Sequence, residues 1–268
     1  MPELVEVETT RRDLEKVILG KRIRKTEVYL DKIVYDKKYE FIKETEGQKI
    51  ISVKRRGKWL LFELDNNYLI IHFRMEGRFY LKEKESQKDK HDYVIFTFDD
   101  FSLHYNDPRL FGKLEVIKKE DINKFFIDKK LGLEYTDSKL DMNYLKEKFK
   151  NKNMPIKTVL LDQSYITGIG NIYADEVLFL SGINPYAKAN LLSKNKLQKI
   201  IDNTKVVFEE ALKHKGTYPN IDGTRGTHEN YLRVHMRKEM PCINCGTLIL
   251  KEKIGGRGTY YCPKCQKR

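Results

Sequence analysis

Leu60-Leu61-Phe62-Glu63-Leu64, Asp65-Asn66-Asn67, Tyr68-Leu69-Ile70-Ile71-His72-Phe73: two aromatic and branched apolar runs flank a short polar turn. That pattern predicts a β-hairpin. Tyr93-Val94-Ile95-Phe96-Thr97-Phe98 and Phe101-Ser102-Leu103-His104-Tyr105 repeat it about Asp99-Asp100. Residues from about 22 to 118 therefore read as strands of a β-sandwich. Within them Lys82-Glu83-Lys84-Glu85-Ser86-Gln87-Lys88-Asp89-Lys90 reads as a solvated charged loop.

Outward from the sandwich the period changes. Residues 3–19 predict a helix, because Leu4, Val7, Arg11, Leu14 and Ile18 recur three to four apart and Gly20 follows. A proline before it suits a first helical turn. From about 121 to 214 the chain reads as helical. In 191–213 the residues Leu197, Ile200, Ile201, Thr204, Val207, Phe208 and Ala211 form one stripe, with Ser193 as N-cap. Residues 131–138 read as an inter-domain linker, and 215–228, with glycines and no apolar period, as a mobile loop. The fold class is α+β. The expected domains are 1–130, helix plus sandwich; 131–228, helical; and 229–268, a metal ribbon. There are no internal repeats.

The chain has 268 residues and 40% hydrophobic composition, enough for a buried core. Its formal net charge is +13, from 52 Lys+Arg against 39 Asp+Glu. Residues 213–268 hold twelve Lys/Arg and four Asp/Glu, a surplus of 8, so the charge is concentrated in one region. That favours a polyanion-binding module. No run approaches the ~18 apolar residues of a membrane span. The acidic start, Met-Pro-Glu-Leu-Val-Glu, lacks an apolar signal region, so a cytoplasmic protein is expected.

All four cysteines follow residue 241, as Cys242-x2-Cys245 and Cys262-x2-Cys265. Two such knuckles offer four thiolates to one tetrahedral Zn²⁺. Strand-like runs between them, 247–250 and 259–261, predict a two-stranded ribbon. Four thiolates leave no open position, so the zinc is expected to be structural. Redox use of the pairs is the alternative, and the doubled spacing speaks against it. Gly255-Gly256-Arg257-Gly258 at the ribbon tip offers an arginine fork to phosphate. Gly168-Ile169-Gly170-Asn171, entering a helix, offers amide groups and a helix N-terminus to another. Asn171 reads as helix cap or phosphate donor.

These pieces, in this order, resemble the formamidopyrimidine-DNA glycosylases, in the superfamily that also holds endonuclease VIII. The resemblance rests on Pro2-Glu3-Leu4 with Glu6-Val7-Glu8-Thr9, Arg55-Arg56-Gly57-Lys58-Trp59, and His72-Phe73-Arg74-Met75-Glu76-Gly77. It continues through Asp107-Pro108-Arg109-Leu110-Phe111-Gly112, the Gly-x-Gly-Asn segment and the cysteines. It implies an N-terminal helix and β-sandwich, then a helix–two-turn–helix domain ending in the zinc ribbon. It also implies removal of oxidised purines from damaged double-stranded DNA, then β,δ-elimination, by a monomer that associates with the nucleoid when acting.

The resemblance assigns roles as well. Removal of Met1 exposes the Pro2 amine. A free α-amino group has a pKa of about 7.7–8.0, against about 10.4 for lysine, so it suits a nucleophile near neutrality. Glu3 would protonate the sugar ring oxygen, a role that needs burial to raise its pKa. Glu6 would support the site, Lys58 would hold phosphate and assist β-elimination, and Arg257 δ-elimination. A flipped base leaves a gap. Met75, Arg109 and Phe111 match the family's gap-filling residues, and His91, Lys152, Lys157 and Asn171 its phosphate contacts. Val5 and Leu110 depart from the family pattern without touching the chemistry, and 215–231 looks short for a base-capping loop. Two other readings stay open: a sibling enzyme for oxidised pyrimidines, and a silent damaged-DNA-binding protein.

Overall fold

The predicted N-terminal helix is α1, Leu4–Ile18, which buries Leu4, Val7, Leu14 and Ile18 on one side. It leads into β1, Lys25–Val28, then α2, Lys38–Thr45. Seven strands follow: β2 (Ile50–Arg56), β3 (Trp59–Leu64), β4 (Asn67–His72), β5 (Arg78–Glu83), β6 (Asp92–Thr97), β7 (Phe101–Asn106) and β8 (Lys113–Lys118). The short helix α3, Ile122–Asp128, ends this part. Helix α2 interrupts the stretch expected to be strand. Only Phe41 and Thr45, four apart, are buried on it, so its apolar stripe is too thin to register a helical period.

The strands form two four-stranded antiparallel sheets, in the orders β2-β3-β4-β8 and β1-β6-β7-β5. Both predicted hairpins are present, with Phe62 opposite Leu69 and Phe96 opposite Leu103. Leu60, Phe62, Leu69 and Ile71 from one sheet and Phe79, Val94, Phe96 and Leu103 from the other share one core. Phe62 stacks on Phe79 with ring centroids 5.9 Å apart. Each such side chain stabilises the sandwich by about 1.5–3 kcal/mol when fully buried. Lys82 and Glu83 belong to β5 rather than to the charged loop, and Lys82 is paired with the buried Asp92 at 2.8 Å.

Four helices make the second part: α4 (Met142–Phe149), α5 (Ile156–Leu161), α6 (Asn171–Leu180) and α7 (Lys194–Lys213). Ser193 caps α7 as its sequence indicates, accepting from the Lys196 N–H at 3.3 Å. The predicted stripe of α7, from Leu197 to Ala211, is its buried face. The ribbon strands are β9, Leu250–Ile254, and β10, Arg257–Tyr261.

The structure describes residues 2–267. The chain packs as two units, Met1–Lys129 with Lys215–Gly226 and Lys130–His214 with Thr227–Arg268. The residues expected as helical and ribbon domains, 131–228 and 229–268, lie largely together in the second unit. The ribbon shares a small core with α6, through Phe179, Val234 and Ile249. The 131–138 segment is not a free linker. Gly132 N–H donates to the Gln163 carbonyl at 2.8 Å, and Leu133 pairs with Ile166 in a parallel bridge. Nor is 215–226 loose. Ile221 is buried in the sandwich core, and its carbonyl accepts the Leu81 N–H at 2.8 Å. One apolar residue anchors that segment, and one residue carries no period.

Among the described residues, no helix is long and apolar enough to cross a membrane.

Candidate active site and nucleic-acid-binding residues

Glu3 is the N-cap of α1, and it forms a reciprocal capping box with Glu6. The Glu3 N–H donates to Glu6 Oε2 at 2.9 Å, and the Glu3 carboxylate accepts the Glu6 N–H. Both carboxylates are buried, Glu3 to 1% and Glu6 to 4% exposure. A helix start tolerates them because its free N–H groups and dipole offset negative charge. Pro2 is buried immediately before them.

Glu6 does more than cap. Its Oε1 accepts the N–H and the hydroxyl of Thr217, each at 3.2 Å. Gly216 holds φ +66°, and a Cβ there would stand 2.8 Å from Glu6 Oε1, so only glycine permits this approach. Pro2, Glu6, Phe73, Gly77, Arg78 and Tyr218 line one cleft of the N-terminal unit. Burial, with the Glu6 and Glu76 charges, pushes the Tyr218 phenol up to about 12, so it remains a hydrogen-bond donor.

Lys58 stands at the β2–β3 turn, 8% exposed. Its neighbour Trp59 lies opposite His72, with the rings edge to face at 4.6 Å. Burial, then the Arg74 and Lys58 cations, pushes the His72 imidazole down to about 3. Neutral His72 accepts the Arg74 N–H on Nδ1 at 3.0 Å.

The segments that carry Met75 and Arg109–Phe111 come together through topology. The connection 73–77 carries the chain from β4 to β5, and 107–112 carries it from β7 to β8. Because β4 pairs with β8 and β5 with β7, both connections cross between the sheets side by side. Arg109 Nη1 lies 3.9 Å from Glu76 Oε1, and its guanidinium lies over the Phe111 ring at 5.3 Å. Phe111 is 51% exposed, a large apolar side chain held out of the core. Asp107 shapes this turn: its carboxylate accepts the Arg109 N–H at 3.2 Å and the Gly112 N–H at 2.7 Å. The His91 carbonyl accepts the Asp107 N–H at 3.0 Å, which sets His91 beside the same turn.

In the second unit, Lys152 and Arg257 line one open cleft with Met154, Thr158 and Tyr165. Lys152 lies over the Tyr165 ring at 5.6 Å. Lys157 is placed otherwise than expected. It is fully buried, its ammonium 2.7 Å from Asp175 Oδ1 and donating to the Gly258 carbonyl at 3.0 Å. A phosphate contact needs an exposed head group, whereas this one is committed to the protein. Gly170, not Asn171, is the N-cap of α6, and the Asn171 amide also donates to the Gly258 carbonyl, at 3.1 Å. Lys157 and Asn171 thus hold the residue next to Arg257.

The four cysteine sulfurs lie within 4.8 Å of one another, with Cys242–Cys265 at 3.8 Å and Cys245–Cys262 at 3.5 Å. A tetrahedron with Zn–S bonds of about 2.3 Å has edges of about 3.8 Å. The donor set and the spacing fit one structural zinc, held by Cys242, Cys245, Cys262 and Cys265.

The sequence motifs include Asp107 without the role of its carboxylate, and they give no role to Thr217, Tyr218 or Asp175. Only Asp107 left a local signal, an aspartate shortly before glycine in a turn.

Three family models match in succession: the formamidopyrimidine-DNA glycosylase N-terminal domain over residues 1–114, the H2TH domain of that glycosylase over 131–221, and a zinc finger found in FPG and IleRS over 241–268. The formamidopyrimidine-DNA glycosylases of Bacillus cereus and Streptococcus pneumoniae are 42% and 39% identical to this chain, across the whole of both chains. Lactococcus lactis Fpg (MutM), solved with DNA containing an oxidised pyrimidine, superposes with a TM-score of 0.95 at 38% identity, covering both chains fully. The same protein solved with abasic-site DNA gives 0.95 at 37% identity, over 99% of this chain and 100% of that one. Fold, buried N-terminal carboxylates, cysteine tetrad and full-length similarity agree, and the chain belongs to the formamidopyrimidine-DNA glycosylase family.

Proposed function

We infer that this protein is a DNA glycosylase of base excision repair with AP-lyase activity, and that it removes oxidised purines, 8-oxoguanine and formamidopyrimidines, using Pro2 as nucleophile. One observation carries the reading. Pro2 and Glu6 line a single cleft, and Glu3 is buried between them in sequence at the helix start.

With Met1 removed, the Pro2 nitrogen donates its lone pair to the sugar C1′. The glycosidic bond breaks, the base leaves carrying the proton that the Pro2 nitrogen sheds, and the Glu3 proton passes to the ring oxygen as the ring opens. The product is an iminium between Pro2 and C1′. Loss of a C2′ proton then expels the 3′ phosphate, and a second elimination expels the 5′ phosphate. Lys58 holds phosphate at the first elimination and Arg257 at the second. Glu6 holds Thr217, the neighbour of the cleft-lining Tyr218. Met75, Arg109 and Phe111 occupy the gap left by the flipped base, and His91, Lys152 and Asn171 serve the DNA backbone, Asn171 by holding the ribbon tip. Zinc, when bound, supplies the cross-link that shapes the ribbon, and it takes no part in the chemistry. The enzyme works as a cytoplasmic monomer on damaged duplex DNA.

Borohydride trapping tests this. Protein lacking Met1, mixed with a duplex carrying 8-oxoguanine opposite C and then reduced, should give a covalent adduct that maps to Pro2. Pro2→Gly should abolish the adduct and keep DNA binding; trapping that persists in that variant removes the proline assignment.

A second reading has one observation in its favour: the Lactococcus lactis protein was solved with an oxidised-pyrimidine DNA. Faster excision of an oxidised pyrimidine than of 8-oxoguanine would select it. Lesion binding without any adduct would select a silent binding protein.

A further inference from the structure

Tyr105, the penultimate residue of β7, lies fully buried beneath the two crossings 73–77 and 107–112. Its ring is parallel to Phe73, with centroids 6.4 Å apart, and edge-on to Phe79 at 5.5 Å. Phe73 opens the first crossing, and its carbonyl accepts the Gly77 N–H at 3.0 Å. Gly77 and Gly112 close the two crossings, and neither has positive φ. Their lack of a side chain answers a need for space: a Cβ on either would overlap the Tyr105 hydroxyl. One oxygen therefore sits against the base of both loops, in a slot that two glycines leave open. The Asp107 carboxylate, which pins the Arg109 and Gly112 N–H groups, lies beside it.

We propose that Tyr105 is a positioning residue that locks the Met75 loop and the Arg109–Phe111 loop into one register, its hydroxyl keyed between Gly77 and Gly112. The inference rests on the reading of Met75, Arg109 and Phe111 as gap-filling residues. It adds the element that makes them act together. Tyr105 touches no DNA. It acts through the loops, because close-packed contacts pass a displacement of one loop to the other.

The test is a double-mutant cycle of Gly112→Ala and Tyr105→Phe. The alanine Cβ alone would overlap the hydroxyl. With the hydroxyl gone, the nearest ring atom, Cζ, lies 3.1 Å away and Asp107 Oδ2 3.0 Å away, contacts that a shift of a few tenths of an ångström relieves. Single-turnover excision from an 8-oxoguanine:C duplex should slow about threefold in Tyr105→Phe, which keeps the ring but loses the key, and about tenfold or more in Gly112→Ala, and it should recover to about the Tyr105→Phe rate in the double variant. The fluorescence of 2-aminopurine placed beside the lesion should follow the same order. Borohydride trapping on a single-stranded abasic oligonucleotide, which has no orphaned partner base, should stay within about twofold throughout.

A double variant no better than Gly112→Ala overturns the inference, as does unimpaired duplex excision in Gly112→Ala. Single-stranded trapping that falls in parallel with duplex excision also overturns it, since the effect is then on folding. Met75→Ala separates the two layers. If it changes neither duplex excision nor the fluorescence, the gap-filling reading fails and the inference falls with it. If it changes both while the cycle shows no coupling, only the role of Tyr105 fails.

Discussion

Glu6 Oε1 accepts two hydrogen bonds from Thr217, a residue 211 positions further along the chain. The first turn of the first helix is thereby fastened to a segment that returns to the N-terminal unit after the chain has built most of the other. Hydrogen bonds to a buried carboxylate contribute about 1.5–3 kcal/mol. Glu6→Gln keeps an acceptor and should lower single-turnover excision modestly; Glu6→Ala should lower it by about tenfold or more, with Thr217→Ala between them. Equal rates in Glu6→Ala and wild type would detach this contact from function.

Acid should weaken the sandwich through His72. Its imidazole is held at about 3 when folded and about 6.5 when unfolded. Between those values the unfolded chain binds a proton that the folded chain refuses. Stability is therefore fully present above about 6.5 and falls with pH below it, by roughly 1 kcal/mol per unit until about pH 3. His72→Phe should flatten the urea midpoint of the N-terminal unit between pH 6.5 and 4. An unchanged acid slope would assign the loss to other groups.

Removal of zinc should unravel the ribbon rather than the catalytic chemistry. Chelation, or Cys245→Ser, is expected to weaken duplex binding by at least about tenfold, because structural zinc contributes folding free energy directly. Trapping at saturating abasic DNA should persist. Undiminished affinity after metal loss, confirmed by metal analysis, would take the ribbon out of the binding surface.

Asp175 holds Lys157 at 2.7 Å and the His235 ring at 2.8 Å, all inside the second unit. Asp175→Asn would leave the Lys157 ammonium buried without its counter-charge, at a cost of roughly 3–5 kcal/mol. Asp175→Leu with Lys157→Met should cost less than Asp175→Asn alone, since the stranded charge is gone. Thermal melting of the three full-length proteins checks that order, and the reverse order would mean that the pair is not desolvated in solution.

Patterns carried by neighbouring residues were legible. The hairpins 59–72 and 92–106, the capped α7 and the cysteine knuckles each depend on contacts within a few residues, so their period survives in the string. Helix α2 was not legible, because two buried residues make no stripe. The inward pairing of Lys157, which resemblance matches to a phosphate contact, is not legible because its partner Asp175 lies eighteen residues away on another helix. Segment 215–226 looked mobile because its order comes from Glu6, Leu81 and Met75, far from it in sequence.

By itself, the sequence determined the order of helix, sandwich, helical unit and ribbon, the zinc ligands, and the family to which Pro2, Glu3 and Lys58 belong. Only the tertiary structure decided that Met75 and Phe111 stand on adjacent crossings, that Tyr105 lies beneath both, and that Lys157 faces inward. The physical reason is that local order follows from backbone periodicity and capping, which adjacent residues encode. Sheet pairing and burial depend on partners brought together only when the chain closes, and no short window of sequence contains both sides of such a contact.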